Sequence, residues 1–496
     1  MKKILIYNGR DWGIAVGHKI ALRLIEDHKF KIGCITSKIS TNNFIKKKEN
    51  FIYDYHLFLN DIVANPEKFI LENKNLIPKN KELNLDFICE ELGIDTIWPY
   101  TQLLRDHVRS FSEKFYYSFR QSENDEQIIL LIKALYLMCL KIYLEFKPDL
   151  MITPNYVATQ HVMLDLYFKK KNIRTISISS IGLKKIGIFT NSYNDQNCNF
   201  NKELDKLNSQ EKLLQNDLQA KELIVKTLNE IKINKIVLKK LNIKFFLKGL
   251  IYILRRIRRG NVIKKNIQTS DSATLITNTK NFFSECFYIN KINKFEFDKL
   301  EDLNNFIYLP LQSQPEQTVD SYAPNFNNQI ETARLIGMNL PKDYYLVVKD
   351  HPNMFGLRPP SYLDKIQRSP NVKLINYDIS NYDILKKSKL MIGFSGSTFL
   401  EASLLNIPSI LLGNIGTVER LPNVYKHNDI STITQKIIYI LSVERDPKYN
   451  EKLLNYFKCA LAHGMDVENY WNLWSWQDGN FNKFYEEIIK EINYVN

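Results

Sequence analysis

The sequence predicts an α/β protein built from two parallel-sheet domains, and three observations lead there. At 496 residues the chain exceeds what one hydrophobic core usually supports. Short apolar runs alternate with helical patterns in both halves. Glycine and polar residues gather at the ends of those runs, where an open α/β sheet presents its ligand crevice.

In the first half, residues 4–7 form a strand pattern, 8–13 a polar loop, 16–27 a helix and 30–36 a second strand. Residues 60–146 are mostly helical, with a polar break near 78–80. The stretch 128–146 is interrupted by Lys133, Lys141 and Glu145, which predicts a core helix and not a membrane span. A strand at 150–153, a loop at 154–156, a helix at 158–171 and a strand at 175–179 follow. Residues 185–235 are polar and helix-prone and offer little to a sheet. A second α/β unit starts near 274, with strands at 274–277, 306–309, 345–348, 372–375, 390–394 and 409–412, and helices between them at, for example, 328–336 and 382–387. From about 430 the chain predicts helices that end in an aromatic cluster, Tyr470 to Trp476. The expected division is 1–185 for the N-terminal domain, 186–265 for a helical, basic connector, 266–425 for the C-terminal domain and 426–496 for C-terminal helices.

Hydrophobic content of 44% and charged content of 25% are those of an ordinary globular chain. Sixty-eight basic residues against 54 acidic ones leave +14, which suits a phosphate-bearing partner. A compositional bias toward Lys, Asn and Ile accounts for it equally well. The charge concentrates in 235–265, which carries Lys235, Lys239, Lys240, Lys244, Lys248, Arg255, Arg256, Arg258, Arg259, Lys264 and Lys265 and no Asp or Glu. Apolar residues interleave with these, so the segment is a basic amphipathic one. Its two readings are a contact for an anionic membrane surface and a solvated interdomain helix pair. No recognised nucleic-acid motif accompanies it, so nucleic acid is not an expected partner. The six cysteines lack C-x-x-C spacing, and neither a zinc site nor a disulfide framework is expected. The apolar run after Met1 is too short for a signal peptide. The expected location is the cytoplasm, with peripheral attachment to the inner membrane as an option.

The residues that carry chemistry lie mainly between 306 and 413. Gly393-Phe-Ser-Gly-Ser-Thr398 places small residues between a strand and a helix. There Ser395, Gly396, Ser397 and Thr398 let a phosphate approach backbone N–H groups. Glu401, one turn into the helix, is placed to bind ribose hydroxyls, although Thr398 and Glu401 also match a capping box. Val347-Val-Lys-Asp-His-Pro352 ends a buried strand with Lys349 for charge, His351 as a donor and Pro352 to set the turn. Arg358 is a candidate anion ligand or a solvated loop residue. In Gln312-Ser-Gln-Pro-Glu316, Gln314 or Glu316 reaches the same crevice unless the segment is an ordinary turn. Asp11, in the loop after the first strand, and Glu316 are the candidate catalytic carboxylates. Thr153 to Tyr156 and Ser177 to Gly182 end other strands and are expected to line the cleft. There is no Walker A sequence, no Gly-x-Gly-x-x-Gly fingerprint at the first strand, no Asp-x-Asp metal clamp and no Gly-x-Ser-x-Gly elbow.

Taken in order, Leu311 to Glu316, Val348 to Pro352, Gly356 to Arg358, Pro370-Asn-Val372, Ser395 to Thr398, Glu401-Ala402, Pro408 and Gly413 resemble the bacterial capsule polysaccharide biosynthesis family. That family is similar to GT-B glycosyltransferases and includes Kdo (3-deoxy-manno-octulosonic acid) transferases. The match covers about residues 306–413, roughly a fifth of the chain. The resemblance implies a GT-B-like fold, two Rossmann-like domains facing a central cleft. It also implies a nucleotide-sugar donor, with a CMP-linked sugar one option, and a glycan or glycolipid acceptor on the N-terminal domain. His351 and Ser395 to Thr398 would hold the donor, with no cofactor and no metal. Two departures stand out. Many relatives have Thr-Gly-Thr where this chain has Ser-Gly-Ser-Thr, and the acidic-acidic-Gly element of Kdo and sialic acid transferases has as nearest equivalent Ser179-Ser-Ile-Gly182, which lacks a carboxylate. Two other readings stay open, an epimerase of the UDP-GlcNAc 2-epimerase type and a non-catalytic glycan- or nucleotide-binding protein.

Overall fold

The computed structural model describes residues 1–9, 11–104, 123–210, 214–258 and 275–494. The N-terminal runs KILIYN and KIGCIT form β1 (Lys3–Asn8) and β2 (Lys31–Thr36). β3 (Tyr55–Phe58), β4 (Leu150–Ile152), β5 (Arg174–Ser180) and β6 (Ile186–Thr190) join them. The second half supplies β7 (Phe306–Pro310), β8 (Tyr345–Lys349), β9 (Val372–Ile375), β10 (Leu390–Gly393), β11 (Ser409–Leu411) and β12 (Val424–Lys426). β13 (Met465–Asp466) then returns to the first sheet beside β6.

The first sheet runs β13-β6-β5-β4-β1-β2-β3 and the second β12-β11-β10-β7-β8-β9. All pairings are parallel except β5 with β6 and β6 with β13. In each sheet the chain winds outward from a central strand and then reverses, between β1 and β4 in one and between β7 and β10 in the other. Loops leaving the carboxyl ends of such a strand pair diverge and open a crevice.

Side-chain alternation along the central strands builds a core on each face. In β1, Leu5 and Tyr7 enter one cluster, while Ile4 and Ile6 enter another. In β7, Phe306 and Tyr308 separate from Ile307 and Leu309 in the same way. The first cluster is completed by α2 (Asp125–Glu145) and α3 (Thr159–Lys170), and the face behind it by α1 (His18–His28). Among the described residues α2 alone is long and apolar enough to cross a membrane. Here Leu131, Leu135, Met138 and Ile142 bury it in the core, as its interrupting charges predict.

The connector holds α4 (Asp217–Ile233) and α5 (Ile243–Arg258), and α6 (Leu275–Ile292) follows. In the second unit α7 (Asn381–Lys387) follows β9 and α8 (Thr398–Leu404) follows β10. Three helices end the chain: α9 (Tyr449–His463), α10 (Val467–Trp474) and α11 (Phe481–Asn493). α9 packs through Tyr456 on Phe200, in a central cluster that also takes in Tyr308 of β7. α10 and α11 cross back, and Tyr470, Phe484 and Ile488 pack beneath Ile4 and Ile6. The result is a GT-B-like α/β fold, with two parallel-sheet units facing a cleft and C-terminal helices running across both.

Two elements differ from expectation. Thr274 lies outside the described residues, and Leu275 to Thr277 open helix α6 and not a strand. Phe282, Ile289 and Ile292 recur at helical spacing, and the last two are fully buried, so the helical period decides. Within 185–235, Ile186–Thr190 is strand β6, antiparallel to β5. A short turn after Ser180 lets this segment fold back, and Ile188 supplies the buried residue on its inner face.

Because Phe484 sits at 0% exposure in the cluster that also holds Ile4 and Ile6, α11 belongs to the first domain's core. Phe484→Ala should lower stability by about 3–5 kcal/mol in urea denaturation. Unchanged stability would mean that α11 is a detachable appendage.

Candidate active site

The end of β8 is organised by a buried ion pair. Asp350 and Arg358 are 0% and 2% exposed at their side chains and bond directly. Asp350 also accepts the His351 N–H at 2.8 Å and the Tyr377 hydroxyl at 2.7 Å. Arg358 donates to the Gln312 carbonyl at 2.8 Å and lies 4.4 Å from the Tyr362 ring centroid. The pair therefore ties the turn after β8 to the turn after β7. Gln329 completes the tie, accepting the Gln312 N–H at 2.6 Å and donating to the Gln312 carbonyl at 3.0 Å.

With that turn held, His351 faces a cavity. Its Nδ1 accepts the Asn353 N–H at 3.2 Å, so the neutral ring carries its proton on Nε2 as a donor. Burial lowers the His351 pKa, and Asp350 opposes the shift, so the ring is neutral at neutral pH.

Lys349 is 3% exposed. Its Nζ donates to the Ile379 carbonyl at 2.8 Å and to Asn381 Oδ1 at 2.7 Å, which leaves one of three N–H donors for a ligand. Burial lowers its pKa to about 8, against the pull of Glu401 and Asp378. Asn381 Oδ1 also accepts the Tyr308 hydroxyl at 3.0 Å, so one amide joins β7, β8 and the start of α7. Burial raises the Glu401 carboxyl, while Asn381, Lys349 and Ser397 hold it back.

The loop after β10 forms no capping box. Ser397 is the N-cap of α8 and makes no side-chain cap. Its hydroxyl lies 3.4 Å from Glu401 Oε1 instead. Gly396 has φ +99°, a backbone region that favours glycine, and Gln312 sits where a side chain would project.

Two cavities meet along this loop. One, of about 390 Å³, lies on the second domain and is lined by Tyr308, Gln312, Lys349, His351, Asn381 and Glu401, with Ile231, Asn234 and Ile236 of the connector along its rim. The other, of about 420 Å³, is lined from the first domain by Tyr156, Ser177 to Gly182 and Asp195, and from the tail by Trp471. Glu316, Thr318, Gly396 and Ser397 line both. Both volumes are in the usual range for small-molecule sites.

The structure thus brings together Glu316, Lys349, His351, Pro352, Gly396, Ser397, Thr398 and Glu401 around the first cavity. Ser395 lines only the second, its hydroxyl donating to the Thr318 carbonyl at 3.1 Å. Three expectations are corrected. Arg358 is neither an anion ligand nor a solvated residue, because Asp350 and the Gln312 carbonyl take its donors in the interior. Gln314 turns away from the crevice toward the Asn327 carbonyl at 2.8 Å and toward Gln329. Asp11 is exposed and lines neither cavity; its loop is drawn into the turn that precedes α1, where its carbonyl accepts the N–H groups of Ile14 and Ala15.

Sequence reasoning missed Asn381, Asp195 and Trp471. Asn381 had a signal, a polar residue opening a helix shortly after a buried strand. Asp195 had none, since it stands in a polar loop like many others. In the structure it is 1% exposed, accepts the Ser179 hydroxyl at 2.6 Å, and is pushed by burial up to about 6.

No family model matches the chain, and no curated protein matches it. Solved structures similar to it include a UDP-GlcNAc 2-epimerase from Neisseria meningitidis bound to UDP-GlcNAc, at 14% identity over 95% of this chain and 100% of that one, TM-score 0.27. A glycosyltransferase from Rickettsia africae matches at 12% identity over 100% and 99%, TM-score 0.27. A UDP-GlcNAc 2-epimerase from Methanocaldococcus jannaschii matches at 14% over the whole of both chains, TM-score 0.23. These likenesses are distant and assign no activity.

Removing one partner of a buried ion pair strands the other charge. Arg358→Ala should therefore cost about 3–5 kcal/mol of stability by chemical denaturation. A loss under about 1 kcal/mol, the range of exposed pairs, would show that the pair does not organise the turn.

Proposed function

We propose that the chain is a metal-independent glycosyltransferase that moves a sugar from a nucleotide-sugar donor to a glycan or glycolipid acceptor. The observation that carries this reading is the pair of cavities, one on each domain, that meet at Glu316, Thr318, Gly396 and Ser397. A two-substrate transfer needs two compartments that share the reacting point.

The donor would lie in the cavity of the second domain. The remaining Lys349 N–H and the Nε2–H of His351 face its phosphate, and Glu401 accepts from ribose hydroxyls. Preset donors of this kind stabilise the charge that develops on the departing phosphate, because they do not reorganise as it forms. The acceptor would lie against Ser179, Asp195 and Trp471. In the transfer, an acceptor hydroxyl oxygen bonds to the anomeric carbon and the bond from that carbon to the phosphate oxygen breaks. The nucleotide leaves with the electron pair. Glu316, which lines both cavities, takes the hydroxyl proton. Asp195 orients the acceptor through its bond with Ser179.

Calorimetry against UDP, CMP, GDP and ADP tests the donor half. One nucleotide should bind, and Lys349→Ala should weaken it by tenfold or more. No binding by the folded protein would overturn the reading. Because the protonated amine holds the phosphate and its folded pKa is about 8, affinity should be full below pH 8 and fall as pH rises through it.

Glu316→Gln should lower kcat by about 10²-fold or more while donor Kd stays within twofold, the mark of a general base. Isomerisation of the donor sugar in the absence of any acceptor would favour the epimerase reading instead.

A further inference from the structure

Helix α5 presents an apolar face that nothing in the described structure covers. Ile243, Leu247, Leu250 and Leu254 are each between 51% and 79% exposed. They recur at three- and four-residue spacing, so they share one side of the helix. The opposite side is already used. Phe245 stacks on Phe282 of α6 with ring centroids 5.7 Å apart, and Gly249 approaches the same ring so closely that a Cβ would collide with it. The helix is therefore fastened by one face and bare on the other.

Charge says what suits the bare face. Lys244 and Lys248, one turn apart and both exposed, flank it. The surrounding stretch 235–265 has eleven Lys and Arg residues and no Asp or Glu. A wide apolar stripe beside a purely basic flank is the pattern of a helix that lies in the plane of an anionic bilayer, with its apolar side among the acyl chains and its lysines at the phosphates.

The helix is also attached to the donor cavity from two directions. Ile231, Asn234 and Ile236, just before α5, line that cavity. Ile289 of α6 packs on Gly356, in the turn that carries His351 and Pro352.

We propose that α5 is a docking surface for an anionic phospholipid bilayer, and that it sets the mouth of the donor cavity at the membrane. The second clause rests on the transferase reading and adds to it that the acceptor is lipid-linked; the first clause does not depend on that reading.

The test uses the full chain without any nucleotide, so its outcome is independent of donor binding. Flotation is measured with vesicles of phosphatidylglycerol and phosphatidylcholine in equal parts, and with phosphatidylcholine alone. Binding to the anionic vesicles should be at least tenfold stronger and should weaken at 0.5 M NaCl. Leu250→Glu, and separately Lys244→Glu with Lys248→Glu, should reduce it by tenfold or more at an unchanged unfolding midpoint. No vesicle binding, equal binding to both vesicle types, or full binding by the folded Leu250→Glu protein would overturn the proposal. So would a lipid-free dimer in sedimentation that Leu250→Glu dissolves, because a second copy would then be the occupant of this face.

Discussion

The cleft is assembled around the Asp350–Arg358 ion pair. Two charges removed from water carry a large desolvation cost, and they are tolerated only when every donor and acceptor is satisfied. Here the Tyr377 hydroxyl and the His351 N–H donate to Asp350, and the Gln312 carbonyl accepts from Arg358. The cost has a structural return. The turn after β8 and the turn after β7 are locked to each other, so Lys349, His351 and Gln312 keep fixed relative positions around one cavity. A mobile pair of loops would have to be ordered each time a ligand bound.

Burial also sets the chemistry of the groups that face that cavity. Lys349 lies in the interior, where the carboxyl of Glu401 offsets only part of the desolvation of its charge. Such an amine gains more from an arriving phosphate than an exposed lysine does, because no bulk water competes for its remaining N–H. His351, neutral for the same reason, offers a donor without adding a further charge. The net positive charge of the chain has little part in this. It is concentrated in the stretch 235–265 of the connector.

The two halves of the cleft depend on segments that belong to neither sheet. Gly182, in the turn after β5, packs on Ser397 and Leu400 of the second domain. The Gly416 N–H reaches the Asn194 carbonyl at 2.9 Å, next to Asp195. These contacts press the loop that holds Asp195 toward the loop that holds Ser397. The tail adds Trp471 only because α10 crosses back over the first sheet. The cavity on the first domain is accordingly a product of the whole chain's path and not of one motif.

How much of this was legible follows from which forces are local. The apolar periodicity of β1, β7, β8 and β10, and the polar residues at their ends, placed two α/β units and a ligand crevice at Lys349 to Pro352 and at Ser395 to Glu401. A strand buried on both faces and a helix start are short-range patterns, and the residues that make them are adjacent in sequence. Arg358 could not be assigned in this way. A guanidinium serves equally well as an anion ligand and as the partner of a buried carboxylate, and only the position of Asp350, eight residues away, decides between them. Asp11 and Asp195 are both aspartates in polar loops. The first is left in solvent by the turn into α1, and the second is buried by the packing of two domains against each other. The sequence by itself determined the two-sheet architecture, the strand-end motifs and the basic amphipathic connector, since each depends on spacing along the chain. The tertiary structure decided which carboxylates face the cleft and which arginine is spent inside, because burial is a property of segments that meet only after folding.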